Sequence, residues 1–301
     1  MRHTWTLTKT RMRLALRNRA FIFFSLVMPL AFLFLYLGII SKAFPFGGGA
    51  SVGPYLLAPV IALTVMGSFW GLSIQLVTFR EKGILRRFRV APVGPGAMLA
   101  SSLISNYFLT LPTVVLEFLL ARWIFHLDRW GNLWSVWALV TFGTVAFASF
   151  GLIVASVTNT MQETQVINNV LWTVFLFLSG ATIPLPVLPR VIQFLALFLP
   201  ATYLVTGLQK AVVRGTEVWH LGAELLALGA GALFAFFVSK QLFRWEPEQK
   251  VTRRAKAWAA ATILPFLLLG IWESNRGALR SDAKATFDTM DERAHPPRPN
   301  R

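Results

Sequence analysis

SGATIPLPVLPRVIQFLALFLPATY, residues 179–203, is the stretch on which the fold turns. It follows a run apolar enough for a lipid bilayer, yet it holds four of the chain's 16 prolines (Pro184, Pro186, Pro189, Pro200) and a lone Arg190. Proline removes a backbone donor and clashes with the preceding turn, so Pro184, Pro186 and Pro189 force the chain to turn. The segment that follows, RVIQFLALFLP, has 11 residues, too few for a crossing that takes about 20. Irregular backbone at membrane depth survives only where protein or water covers it. The expectation is therefore a re-entrant segment over 182–217 that dips in from the outer face. The alternative, one kinked span over 187–213, would turn the basic 240–256 segment outward.

Composition supports a membrane setting. Hydrophobic residues make up 55% of the 301 and charged residues 14%, against about 25% charge in a soluble chain. Cysteine is absent, which removes disulfides and thiolate metal sites. Upstream, AFIFFSLVMPLAFLFLYLGII (20–40) is a run of 21 uncharged residues. At roughly 1.5 Å per residue that is about 31 Å of helix, enough for a hydrocarbon core of about 30 Å. It exceeds the apolar core of a signal peptide, and no small-x-small cleavage site follows. It reads as a retained first span.

Further spans are expected at Pro54–Thr78, at Met98–Phe125 with interruptions at Pro112 and Glu117, and at Leu133–Val157. Val166–Ala181 and Leu221–Val238 complete six. A seventh stretch, AWAAATILPFLLLGIW (257–272), has 16 residues and a proline, Pro265; a span and an interfacial helix both fit it. The fold expected is an all-α polytopic membrane protein. It has an N-terminal interfacial helix at 1–19, a six-span core at 20–245, and an extension at 246–301 that ends in a polar tail.

Charge sets the orientation. Residues 1–19 hold six Lys and Arg, residues 79–90 five, and residues 240–256 six; the opposite segments hold Lys42, Arg122, Arg129, Arg190, Lys210 and Arg214. By the positive-inside rule the N-terminus, the 79–97 loop and the 240–256 segment are cytoplasmic. The expected location is the cell's inner (plasma) membrane, as a multi-pass protein. The net charge of +16 is spread over alternate helix ends with no single basic domain, which argues against a nucleic-acid partner. Trp123, Trp130, Trp134 and Trp137 fit an interfacial belt between spans three and four.

Catalytic chemistry is missing. There is no G-x-x-x-x-G-K-[ST] for nucleotide phosphates and no G-x-S-x-G. The four histidines (His3, His126, His220, His295) are scattered without a second metal ligand at helical spacing. No catalytic residue, metal ligand or cofactor site is expected in this chain. Glu117 is the one carboxylate deep in an apolar run; such residues are costly and point to function, with a protonated packing contact as the alternative. Glu224 falls in the first turn of span six, where the helix dipole favours it. Ala223, Ala227 and Gly231 recur at i, i+4 and i+8 and are expected to pack within the chain. In 1–19, Trp5, Met12 and Leu16 share a helical face beside Lys9, Arg13 and Arg17, as in a helix lying on lipid; a plain basic arm is the alternative.

In FREKGILRRFRVAPVGPGAMLASSL (79–103), Ile84, Leu85 and Phe88 interleave with charges in a pattern that fits a short amphipathic helix. Pro92, Gly94, Pro95 and Gly96 then stop it. A loop resting on lipid headgroups fits as well. FREKGILRRFRVAPV resembles the first intracellular loop of the type-2 permeases of ATP-binding-cassette (ABC) exporters. There a charged stretch, G-[TI]-L-x-R and a Pro-Val corner precede the third span, and Glu81, Gly83, Leu85, Arg86, Pro92 and Val93 occupy those positions. Residues 162–215 are similar to that family's fifth-span signature through Ser179, Gly180, Pro184, Pro189, Pro200, Thr202 and Tyr203. The resemblance runs from residue 1 to about 245, where LFRWE looks like the family's usual end; residues 246–301 depart from it.

The resemblance implies a permease subunit that works as a homo- or heterodimer and binds no cofactor itself. A separate ABC ATPase would use ATP and Mg and dock on Arg80, Glu81, Lys82, Gly83, Leu85, Arg86, Arg87 and Arg89, and on the 158–165 turn. Ser179, Gly180, Pro184, Pro189, Pro200 and Tyr203 would form the re-entrant gate. An ion-coupled secondary transporter built on Glu117 and a non-transporting membrane scaffold stay open as alternatives.

Overall fold

The computed structural model describes residues 2–17, 19–41, 53–85, 94–127, 130–245 and 253–294, and among them every regular element is a helix. The first are α1 (Arg2–Arg17) and α2 (Arg19–Leu33), which runs on as a π-helix over Phe34–Ile40. Four long helices follow: α3 (Gly53–Glu81), α4 (Pro95–Trp123), α5 (Leu133–Val157) and α6 (Met161–Leu178). Then come α7 (Arg190–Ala196) and α8 (Pro200–Gln209), the latter extended by a π-turn over Lys210–Arg214. The chain closes with α9 (Gly222–Gln241), α10 (Arg253–Ala261), α11 (Leu264–Arg276) and α12 (Ala278–Ala294).

Among the described residues, five helical stretches have the length and apolarity to cross a membrane: α3, α4, α5, Val218–Gln241 and Ala257–Arg276. The pair α7–α8, bent by 98°, makes a sixth if it is counted as one. The stretch held open in the sequence, 257–272, is thus within one of the five. α2 with its π-helix contains a shorter apolar stretch, Ser25–Ile40, and α6 opens on Gln162, Glu163 and Gln165.

Two expected boundaries change. The third span is not interrupted, because α4 runs through both Pro112 and Glu117; one lost backbone bond does not break a helix held by apolar turns on either side. The loop expected from residue 79 starts later, because α3 continues to Glu81.

α3 is buried over most of its surface and packs most extensively on α5. Glycine permits the approach: a Cβ on Gly151 would meet the Phe69 carbonyl oxygen at 2.4 Å, so the two backbones touch with no side chain between them. Around that contact Phe69 and Phe147 meet Phe175 edge to face, with centroids 5.7 and 5.5 Å away. α1 lies along the start of α4, burying Thr8, Arg11 and Ala15 and exposing Trp5, Leu14 and Leu16. Arg11 donates to Ser102 Oγ and to Met98 Sδ, and burial pushes its guanidinium down to about 10.

The proline-rich segment does break the helix. After Leu178, Gly180 takes a positive φ of 88°, and Pro184 leads into a short 3₁₀ turn, Leu185–Val187. Gln193 fastens α7 to that turn by donating to the carbonyls of Pro186 (3.3 Å) and Leu188 (2.8 Å). Pro200 opens α8, where a missing N–H is no loss. Every residue of α8 is buried, among α3, α5 and α9.

In the extension, expected to hold a candidate seventh span and a polar tail, the described residues 253–294 are helical and packed on the bundle. α10 and α11 contact α9, and α12 contacts α8 and its π-turn. Gly277, at φ 68°, closes α11, and the carboxylate of buried Glu273 accepts from the Leu279 N–H to start α12.

Candidate functional site

Three features stand out, and the first is a clamp at the end of α3. Arg80 is buried and donates to the carbonyls of Ala155 (2.8 Å) and Thr158 (2.6 Å). Arg244 donates to Ser156 O (3.1 Å), Thr158 O (2.6 Å) and Asn159 Oδ1 (3.0 Å); burial lowers its guanidinium from the ordinary value. The last carbonyls of a helix are orphans that carry partial negative charge, and two guanidiniums satisfy those of α5. Glu81 does the reverse, accepting at 2.8 Å from the Met161 N–H that opens α6. Within the turn Thr160 caps Glu163 N (3.2 Å), and the Glu163 carboxylate accepts from Asn159 N (2.7 Å), a capping box displaced by one residue.

The predicted coupling residues divide here. Arg80 and Glu81 are brought onto the 158–165 turn as tie points, Arg80 buried and Glu81 exposed. Lys82 is exposed, Gly83 makes a turn at φ 66°, and Leu85 is buried with Leu72, Leu76 and Met98. Arg86, Arg87 and Arg89 lie outside the described residues, as do Pro92 and Val93. The sequence reading missed Arg244 as a site residue, although it sits in the quoted LFRWE.

The second feature is a half-exposed polar seam. On α6, Gln162, Gln165, Asn169 and Thr173 are exposed together with Val166, Val170 and Phe177. The opposite face is fastened inward: Asn168 donates to Ser73 Oγ (2.8 Å) and Thr164 to Thr158 Oγ1 (2.9 Å). Beside it α3 carries Thr64, Gly67 and Gly71 on one stripe, and neither glycine has a heavy atom within 4 Å of an added Cβ. Trp70 and Trp172 join the two helices edge to face at 6.1 Å. Glu117 sits behind this stripe, fully buried; its Oε1 accepts from Thr64, and its Oε2 has no partner among the described residues.

The third is the bend with its charged end. Ser179 is buried and accepts from the Ala181 N–H at 3.3 Å, and Tyr36 donates to Ala181 O at 3.1 Å. Pro189 precedes α7, and Tyr203 donates to Leu197 O at 2.9 Å, spanning the bend. Gly180, Pro184, Pro189, Pro200 and Tyr203 are thus gathered in one structure. At its far end Lys210, 6% exposed, is paired with Glu224 at 2.6 Å and with Asp282. Glu224 is therefore buried in an ion pair, where the sequence expected only a favourable position at the interface. No cluster of three His, Cys, Asp or Glu that could hold a metal occurs among the described residues.

Residues 2–213 match the profile of the ABC-2 type transporter family. The chain belongs to this family. YvfS of Bacillus subtilis (strain 168), which carries the name of a transport permease, is 24% identical over 234 residues, 77% of this chain and 94% of YvfS. The linearmycin resistance permease protein LnrN of the same organism is 25% identical over 58% of this chain and 44% of LnrN. YbhS of Escherichia coli (strain K12), named for a multidrug ABC transporter permease, is 24% identical over 61% of this chain and 50% of YbhS. The chain thus spans about half the length of the last two. This ABC-2 protein is a multi-pass membrane permease, and α9 to α12 lie beyond the family match.

Proposed function

We propose that this ABC-2 permease forms the substrate pathway of an ATP-driven exporter, as one of two permease copies joined to a separate ABC ATPase. In this reading α2, α3, α4, α5, α6 and α9 are the six core spans, and α7–α8 re-enters from the outer face. The Arg80 end is cytoplasmic, in keeping with Arg80, Lys240, Arg244 and Arg11 at that end. ATP and Mg belong to the ATPase, and this chain binds no cofactor.

The observation that carries the reading is the polar seam. Asn169 lies about 12 Å along α6 at roughly 1.5 Å per residue. Its amide and that of Gln165 would each cost about 4–8 kcal/mol against hydrocarbon with nothing to bond. Only water or a second chain can meet them there, and the open glycines of α3 leave room for either. The clamp gives the pathway its drive: an ATPase bound at 79–97 and 158–165 would move α3 and α6 together, since Arg80 and Glu81 tie both to one turn. The names of LnrN, for linearmycin resistance, and YbhS, for a multidrug transporter, favour export of drugs.

A tagged chain, gently solubilised, should co-purify with a soluble ATPase in stoichiometric amount. Reproducible purification without one would sink this reading. It would favour a second, ion-coupled transport through Glu117, whose free Oε2 is the observation behind it.

A further inference from the structure

The helices after residue 245 run the length of the bundle. Ala259 packs with Ile153, Val238 and Leu242, at the Arg80 end. Phe266 seats on Gly231, where an added Cβ would meet it at 2.3 Å, and its ring lies 5.5 Å from that of Phe150. Gly270 in turn receives Phe198 of the bend. α12 reaches the opposite end: Phe287 meets Tyr55 edge to face at 6.1 Å, and Met290 is buried with Tyr55 and Val213. Tyr55 opens α3 and Arg80 closes it, so the extension passes from one end to the other. Ala257–Arg276 has 20 residues, about 30 Å of helix.

At that far end α12 covers the bend. Leu279 and Ala283 are buried with Leu185, Leu188 and Tyr203, whereas Ser281, Lys284, Asp288 and Asp291 face outward. Lys210 and Arg214 meet two carboxylates there, Glu224 and Asp282, with Arg214 3.9 Å from Asp282. The two halves of this set differ. The Glu224 side chain is 3% exposed and belongs to the bundle, while that of Asp282 is 37% exposed and comes from the covering helix. Undocking α12 would leave the Lys210–Glu224 pair intact while releasing the Asp282 contacts and the apolar contacts of Leu279, Ala283 and Met290.

We propose that the extension is an exit lid: residues 257–276 cross the membrane once more, and α12 lies on the outer end of the bent pair, latched by Asp282 on Lys210 and Arg214. That this end is an exit rests on the exporter reading; the crossing and the latch do not. Because α12 touches the turn before the bend, the π-turn after it and the start of α3, these parts cannot separate while the lid is docked.

The absence of cysteine makes the test direct, with a membrane-impermeant maleimide on oriented vesicles. Ser281→Cys should label in right-side-out vesicles and not in inside-out ones; the reverse overturns the crossing. Ala283→Cys, on the buried face of the lid helix, should be protected, and adding Asp282→Lys should speed its labelling about tenfold or more, because like charges then face each other. An unchanged rate overturns the latch. Should the lysine variant fail to accumulate, Asp282→Asn removes the charge without reversing it and must still speed the labelling, by a smaller factor; an unchanged rate there overturns the latch as well. A chain lacking an ATPase partner would leave all these results standing, so failure of the exporter reading is distinguishable.

Discussion

Arg80 and Arg244, one at the end of α3 and the other beyond α9, donate to the same carbonyl oxygen, that of Thr158, each at 2.6 Å. Two like charges share this acceptor because the end of α5 offers a row of unpaired carbonyls with partial negative charge.

Each arginine should therefore cover in part for the other. Arg80→Gln or Arg244→Gln alone should lower stability by about 1–3 kcal/mol. The double variant should cost more than the sum, because the Thr158 carbonyl is then left bare. Thermal unfolding in detergent around a double-mutant cycle measures this; strict additivity would show that the two do not share the turn.

Arg86, Arg87 and Arg89 lie next to this clamp in the chain. Changing all three to Glu should leave insertion and thermal stability unaltered and abolish capture of the ATPase. Normal co-purification with normal transport would remove residues 79–93 from the coupling surface.

The glycines of the central pair should respond in opposite ways. Gly151→Ala drives a methyl into the Phe69 carbonyl and should cost about 1–3 kcal/mol, as overpacking does. At Gly71 an added Cβ has no heavy atom of the described residues within 4 Å, so with Gly71→Leu the single chain should fold normally while the copies fail to associate. Cross-linking and light scattering would show an unaltered dimer if this face is not the seam.

On α6, Asn169→Leu and Gln165→Leu should leave stability unchanged and lower transport about tenfold, equivalent to ~1.4 kcal/mol. Unaltered transport in vesicles, with the variants correctly inserted, would take the pathway away from this helix.

Lys210 and Glu224 should behave as a unit. Lys210→Met strands a buried carboxylate and should cost about 3–5 kcal/mol; adding Glu224→Gln should recover much of that. Equal unfolding temperatures for the single and double variants would show that the pair is not coupled.

What the sequence made legible were features whose cause is local. α5 is a long uncharged run, and its observed bounds, Leu133–Val157, match the expected ones. The break after Leu178 was readable from Pro184, Pro186 and Pro189, since proline acts on its own turn. Contacts between distant parts of the chain were not readable. Lys210 counted only as one outward positive charge, because nothing in the spacing pairs it with Glu224, which stands 14 residues on across a turn. Arg244 looked like the close of a domain, and its partners at 156–159 lie far back in the chain. Pro112 was read as a break by the same local rule that succeeded at Pro184, yet it stands alone and the helix absorbs it. Residues 278–294 looked polar because α12 buries only one narrow face.

The burial of α8 imposes an order on assembly. Its walls α3 and α5 are made before it, but α9, the third wall, emerges from the ribosome later. Until then Lys210 has no Glu224 to meet and no reason to leave water. The full burial of α8 thus requires a helix not yet synthesised when α8 itself appears, so its final seating is expected to be a late step.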